Sequence, residues 1–91
     1  MFTFEGDWGI GIDDVETDIT RLEARQNSVR VSLQSSGEVQ LTILHKQAEG
    51  EAKLQARSRN GRLELTPTKT RGVWHTRIAL DGPETIEIKF A

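Results

Sequence analysis

The chain has 91 residues, 35% of them hydrophobic, and a formal net charge of −2 at pH 7. This length suits one domain with a thin core, because a second domain would need a core of its own. The absence of cysteine excludes a disulfide framework, thiolate catalysis and a cysteine-based zinc site. The apolar runs are far shorter than the ~20 residues of a membrane-spanning helix.

The N-terminal segment predicts two short strands. Its apolar residues occupy every second position, which is the period at which a strand presents one face. Gly6 interrupts the series and predicts a bend or bulge between the strands. We expect Gly9 and Gly11 to leave bare backbone on the face opposite the apolar side chains. Those apolar side chains are Phe2, Phe4, Trp8, Ile10 and Ile12.

The next segment begins with a polar bend at Asp13 and Asp14 and then alternates as a strand. Its apolar parity shifts after Ile19, and a one-residue shift inside a strand moves every later side chain to the other face. We therefore expect a bulge near Thr20 and Arg21. A helix over residues 14–25, capped by Asp14, is the alternative. The β-branched residues of the segment favour the strand.

The centre of the chain, residues 28–66, contains four short segments in which apolar and polar residues alternate. The polar spacers between them are too short for crossover helices, so antiparallel hairpins are expected. We place turns at residues 34–38, 49–51 and 59–62. Each strand then has one dry face and one wet, basic face.

The C-terminal part predicts the remaining strands. Thr66 and Pro67 mark a sheet edge or a strand end, because proline lacks a ladder donor. Residues 73–80 alternate as a strand, residues 81–83 close it, and residues 86–90 form the last strand. The expected fold is a single all-β domain over residues 1–91, an antiparallel β-sandwich or small β-barrel of seven to eight short strands in mostly meander connection. This run of short segments and polar turns resembles bacterial β-meander and adhesin-like domains.

Charge is segregated along the chain. The first 20 residues carry six acids and no Lys or Arg, whereas the rest carry all twelve bases against eight acids. Residues 53–77 alone hold seven bases and one acid, Glu64. This separation predicts an acidic N-terminal surface and a basic central surface. The first 20 residues also lack the basic start and apolar segment of a secretory signal, so we expect a cytoplasmic protein unless a signal was removed.

The basic surface is the first candidate site. Its cations alternate with polar residues, and a hairpin across residues 60 and 61 would place Lys53, Arg57, Arg59 and Arg62 side by side on one face. Arginine offers a planar fork to oxyanions, and aromatic rings stack on single-stranded nucleic acid. The alternative is an ordinary solvated face. The candidate ligand- or partner-binding residues are Lys53, Arg57, Arg59, Arg62, Trp74, His75 and Arg77.

The acidic N-terminal surface is the second candidate. Asp13, Asp14, Glu16 and Asp18 form a partner-binding edge that would meet the basic face of another copy or another protein. Alternate carboxylates at Asp14, Glu16 and Asp18 are also weak candidates for a hard cation, although EF-hand spacing is absent. A charged edge that only prevents strand addition is the alternative. We expect no metal and no cofactor.

The two tryptophans and two histidines complete the candidates. Trp8 and Trp74 share parity with aliphatic residues, which favours core anchors over exposed platforms for a sugar ring. His45 and His75 sit in no recognisable catalytic motif. The sequence therefore predicts a non-catalytic binding or self-assembly module, with self-association or another protein as partner and no membrane. Recognition of a polyanion, nucleic acid or carbohydrate is the alternative, and a hydrolytic enzyme the minor one.

Overall fold

The computed structural model describes residues 2–13, 17–48, 52–59 and 61–90. These residues form one antiparallel sheet of eight strands and contain no helix, which confirms the all-β class. No helix able to cross a membrane occurs among them. The strands are β1 (Phe2–Glu5), β2 (Trp8–Ile12), β3 (Asp18–Ala24), β4 (Ser28–His45), β5 (Leu54–Ser58), β6 (Gly61–Leu63), β7 (Thr66–Pro67) and β8 (Val73–Phe90).

A long, bent antiparallel pair of strands, β4 and β8, organises the sheet. Each of these strands has 18 residues, and they pair from Ser28 opposite Lys89 to Leu44 opposite Val73. A straight strand of that length would span roughly 55 to 60 Å, but the longest dimension of the molecule is 33 Å. The paired strands must therefore bend. Gly37 (φ 113°) and Gly82 (φ 93°) lie near their midpoints, in a backbone conformation that favours glycine.

The turns expected at residues 34–38 and 81–83 are wrong, because the chain does not reverse at either place. Instead the two segments face each other in the β4–β8 ladder, with Ser35 opposite Gly82 and Gly37 opposite Leu80. Each glycine lets its strand bend while cross-strand pairing continues. The two short strands predicted on either side of Gly37 are therefore the single strand β4, and the two predicted on either side of Gly82 are the single strand β8.

The bend divides the sheet into two halves that share β4 and β8. The first half-sheet comprises β3, residues 28–36 of β4, residues 81–90 of β8, β5 and β6. The second half-sheet comprises β1, β2, residues 38–45 of β4, residues 73–80 of β8 and β7. Odd positions of β4 and even positions of β8 are buried on both sides of the bend, so one core serves both halves.

Three aromatic rings cover this core where the two opposite ends of the β4–β8 ladder come together. His45 ends β4 and Phe90 ends β8, yet their ring centroids are 4.9 Å apart. Trp8 packs against both, 4.6 Å from His45 and 5.3 Å from Phe90. Its indole N–H donates to the carbonyl of Arg25 at 3.0 Å. Trp8 is 1% and Trp74 5% exposed, which confirms both as core anchors.

The N-terminal hairpin corrects one expectation about faces. Gly6 has φ 59° and forms a two-residue turn with Asp7, as in a type II′ hairpin. This turn pairs Phe4 with Gly9. Cross-strand partners share a face, so Phe2 and Phe4 lie on the outer face, opposite to Trp8, and not in the core. The strand and bulge expected after residue 17 are confirmed, with a register shift between Ile19 and Arg21.

Candidate functional site

A row of charged side chains crosses the outer face of the first half-sheet. Ladder partners on five neighbouring strands place Arg62 opposite Arg57, Arg57 opposite Glu87, Glu87 opposite Arg30, and Arg30 opposite Glu23. Partners in a ladder lie on one face, about 4.5 to 5.5 Å apart between Cβ atoms. The row therefore alternates in sign from Glu23 to Arg57 and ends in two adjacent cations.

The two charged residues in the middle of this row, Arg30 and Glu87, form an ion pair. The Arg30 guanidinium donates to the Glu87 carboxylate at 2.9 Å. This hydrogen bond is the main reason why the pKa of Glu87 lies below its ordinary value and the pKa of Arg30 above its ordinary value. The charges of Lys89 and Arg57 also help to lower the pKa of Glu87, so both cations lie near its carboxylate.

At the basic end of the row, cations outnumber the described acids, because the neighbouring acid, Glu87, also lies opposite Arg30. Arg57 and Arg62 are exposed and directly opposite each other. Within the described residues, neither forms an ion pair, and the nearby Glu87 is already bound by Arg30. Lys89 lies next to them, opposite Gln55, and a cleft of about 50 Å³ is bordered by all three cations. We call Arg57, Arg62 and Lys89 the basic cluster.

The structure separates the other residues expected on the basic surface. Arg59 donates to the Pro83 carbonyl at 2.8 Å and lies 3.5 Å from the buried carboxylate of Glu84. Lys53 is exposed and precedes β5. Lys53 and Arg59 thus flank the two ends of β5 and are not part of the row of charged ladder partners.

The remaining three expected residues belong to the second half-sheet. Arg77 is bound to Glu38 at 2.9 Å, and His75 lies on the outer face opposite Thr42. Trp74 lies in the core, so its ring is not available for stacking on a ligand. The structure brings Arg57 and Arg62 together and adds Lys89, which sequence reasoning missed because it lies 32 residues beyond Arg57.

The acidic surface is only partly described. Asp14 and Glu16 lie outside the described residues. Asp13 accepts the backbone N–H of Gln40 at 3.1 Å, and Asp18 is exposed on β3. Within the described residues, no three His, Asp or Glu side chains converge as metal ligands.

His45 borders an open cavity of about 580 Å³. Its Nδ1 accepts the N–H of Gln47 at 3.1 Å, so the ring proton of the neutral imidazole lies on Nε2. Nε2 is buried and has no hydrogen-bond partner in the described part of the chain. The cavity lining that is described includes no serine or threonine. The histidine ring instead packs edge-on against Trp8 and Phe90.

Two exposed aromatic residues were also missed. Phe2 and Phe4 stack with their centroids 5.8 Å apart on the outer face of the second half-sheet. The ammonium of Lys46 lies 5.1 Å from the Phe4 centroid. The turn at Gly6 and Asp7 was the available signal, because a two-residue loop sets even positions of β1 opposite odd positions of β2.

Comparison of the chain with protein-family models, curated proteins and solved structures gives no match. The function must therefore be argued from the geometry of the molecule.

Proposed function

We propose that this protein is a non-catalytic binding module that takes an anionic partner at the basic cluster. The observation that carries the proposal is the direct opposition of Arg57 and Arg62, neither of which forms an ion pair within the described residues. By contrast, Arg30, Arg59 and Arg77 each form an ion pair with an acid.

The energetics of the sheet support this assignment. Like charges directly opposite each other destabilise a pair of strands. An oxyanion between Arg57 and Arg62 relieves that repulsion, because each planar guanidinium offers two parallel donors to a phosphate or sulfate. Lys89 adds a third positive charge, and the exposed amide of Gln55 adds neutral hydrogen-bonding capacity. The arrangement favours a ligand with closely spaced anionic groups.

The small size of the basic cluster limits the number of anionic groups that it can neutralise. Three cations neutralise at most three phosphates, so binding to single-stranded DNA should weaken with salt at a slope of about −2 in log K against log salt concentration. A much steeper slope would instead indicate contact with cations spread over the surface.

The decisive test is Arg62→Glu. This change replaces the repulsion with an attraction between Arg57 and the introduced carboxylate, so folding is preserved while the anion site is lost. We expect at least a tenfold loss of affinity for heparin and for an oligothymidylate, measured by titration calorimetry. Arg71→Glu is the charge-matched control, because Arg71 is exposed in the turn before β8. Equal losses in both variants, or none in Arg62→Glu, would refute the proposal.

Charge-guided self-assembly is the second candidate function. The first half-sheet ends in the basic β6 at one edge and in β3, with exposed Asp18, at the other. A head-to-tail contact would place Arg62 of one copy against Asp18 of the next. Light scattering distinguishes the two functions, because such an assembly must dissociate as salt is raised.

A carbohydrate ligand has less support. It depended on an exposed tryptophan, and Trp8 and Trp74 are both buried.

A further inference from the structure

Strand β1 presents an uncovered aromatic edge. Phe2 is 42% and Phe4 50% exposed, and they are the large hydrophobic side chains that the described residues leave exposed. Their rings cover Gly9 and Gly11 so closely that an added Cβ would lie 2.6 Å from Phe4 and 2.9 Å from Phe2. The two glycines thus let the rings lie flat against the sheet.

The other edge strands are protected against strand addition more strongly than β1. β3 contains a register shift at Ile19 and Arg21 and carries charged side chains. β7 has two residues, one of them Pro67, and β6 has three, including the cation Arg62. Short length, proline, bulges and Lys or Arg are the usual means of blocking an edge. β1 has four residues, a regular ladder with β2 and neither proline nor a bulge. Its one charged residue, Glu5, lies next to the turn, and the ammonium of Lys46 lies over the Phe4 ring.

The hairpin geometry shows which backbone groups face the open edge. In a two-residue hairpin the residues flanking the turn exchange hydrogen bonds, and every second pair does the same. Glu5 with Trp8 and Thr3 with Ile10 are therefore the bonded pairs. The N–H and C=O groups of Phe2 and Phe4 point away from β2, and no second described strand is hydrogen-bonded to β1, although β3 lies close to it.

We propose that two copies of this chain associate by antiparallel pairing of β1 with β1, with the two-fold axis at Thr3. Phe2 of each copy then lies opposite Phe4 of the other, and the outward backbone groups of these two residues bond to each other. Only even shifts of register keep the outer faces of the two sheets aligned. Centring the axis on Phe4 would pair just one phenylalanine with its counterpart. The Thr3 register forms two aromatic pairs and is therefore favoured.

This interface is separate from the proposed anion site. β1 lies at the outer edge of the second half-sheet, whereas the basic cluster lies on the outer face of the first. Association through aromatic rings and backbone groups should persist at high salt, in contrast to assembly through opposite charges.

Sedimentation equilibrium of the unmodified chain provides the first test. We expect a mass of twice 10.2 kDa that does not change with salt. A monomer at about 1 mM protein, where even weak complexes form, would overturn the proposal.

A single-cysteine variant tests the register. The chain has no cysteine, so Thr3→Cys introduces the sole thiol, on the inner face of an exposed strand. Across the axis the two Cα atoms would be about 4.5 Å apart, within the range that a disulfide bridges. Mild oxidation should give a covalent dimer as the main product, and Thr66→Cys on edge strand β7 should give little. Equal cross-linking of both variants, or none in Thr3→Cys, would refute this register.

The double variant Phe2→Lys/Phe4→Lys tests the rings themselves. It should weaken dimerisation at least tenfold, because charges on an edge oppose strand addition. Thr66→Lys should leave dimerisation unchanged. A folded double variant, verified by circular dichroism, that still dimerises with unchanged affinity would contradict the proposal.

Discussion

The two half-sheets share one core but have very different outer faces. Across the first, a row of ladder partners carries five charged side chains, from Glu23 to Arg62. Across the second, the corresponding row of Phe2, Gly11, Thr42 and His75 contains no carboxylate, Lys or Arg. Both rows follow the same alternation along β4 and β8. The inner residues of these strands thus determine the fold, while the outer residues are free to differ and are where we locate function.

The largest expected effect comes from breaking the contact that joins the two halves. Trp8→Ala removes the ring that packs against both His45 and Phe90, together with its bond to Arg25. We expect a loss of about 3 to 5 kcal/mol in the free energy of unfolding, typical of deleting a buried aromatic residue. Urea denaturation measures it, with Phe2→Ala as the exposed aromatic control. A loss no larger than that of the control would show that the halves are not joined by these rings.

The second-largest expected effect is on the affinity for a polyanion, which we assign to the outer face of the first half-sheet. Arg57→Ala/Arg62→Ala should weaken polyanion binding about a hundredfold, since each charge-assisted hydrogen bond contributes ~1.5 to 3 kcal/mol and 1.4 kcal/mol is tenfold. Lys69→Ala/Arg71→Ala, which removes the same charge from the turn before β8, should change affinity little. Fluorescence anisotropy with a labelled oligothymidylate gives both values, and similar losses would mean that net charge alone is sensed.

A smaller effect concerns stability. Arg62→Glu should raise the free energy of unfolding by ~0.2 to 1 kcal/mol, because an attractive cross-strand pair replaces a repulsive one. For a domain of this size such a gain is roughly 1 to 8 °C in Tm. A lower Tm in differential scanning calorimetry would indicate that the two arginines do not repel each other in the free protein.

The smallest effects come from Glu87. Glu87→Gln frees Arg30 and removes the acid beside Arg57, so affinity for a polyanion should rise about threefold in the same anisotropy measurement.

The same variant tests pH dependence. Because the pKa of Glu87 is lowered in the folded state, its ion pair stabilises the fold above the ordinary value of 4.5 and this contribution is lost as pH falls through the folded pKa. The variant should therefore lose less stability than the parent between neutral and acidic pH in urea titrations.

Much of this fold could be predicted from alternation alone, and the failures have a common physical cause. Glycine at a positive φ serves a tight turn and a strand bend equally well, so the sequence around Gly37 and Gly82 could not distinguish them. The outcome depended on pairing between residues more than 40 positions apart. The outward position of Phe4 likewise depended on the loop length at Gly6, because one residue more or less reverses the face.

The candidate site was predictable to the same extent. A hairpin that brings Arg57 and Arg62 to one face is local in sequence and was expected, but Ser58 pairs with Gly61, so Gly61 belongs to β6 and not to the turn. Lys89 joins the site through long-range pairing of β5 with β8, and Glu84 holds Arg59 aside by an equally distant contact. Neither contact could be inferred from the neighbouring residues in the sequence.

The proposed binding of anions by the basic cluster of the first half-sheet is tested most directly by mapping it residue by residue. A ¹⁵N-labelled sample titrated with inorganic tripolyphosphate should show saturable amide shift changes in β5, β6 and residues 87–89 of β8. The outer face of β1 and β2 should be unaffected. Changes centred on the second half-sheet, or none at any residue, would contradict the account.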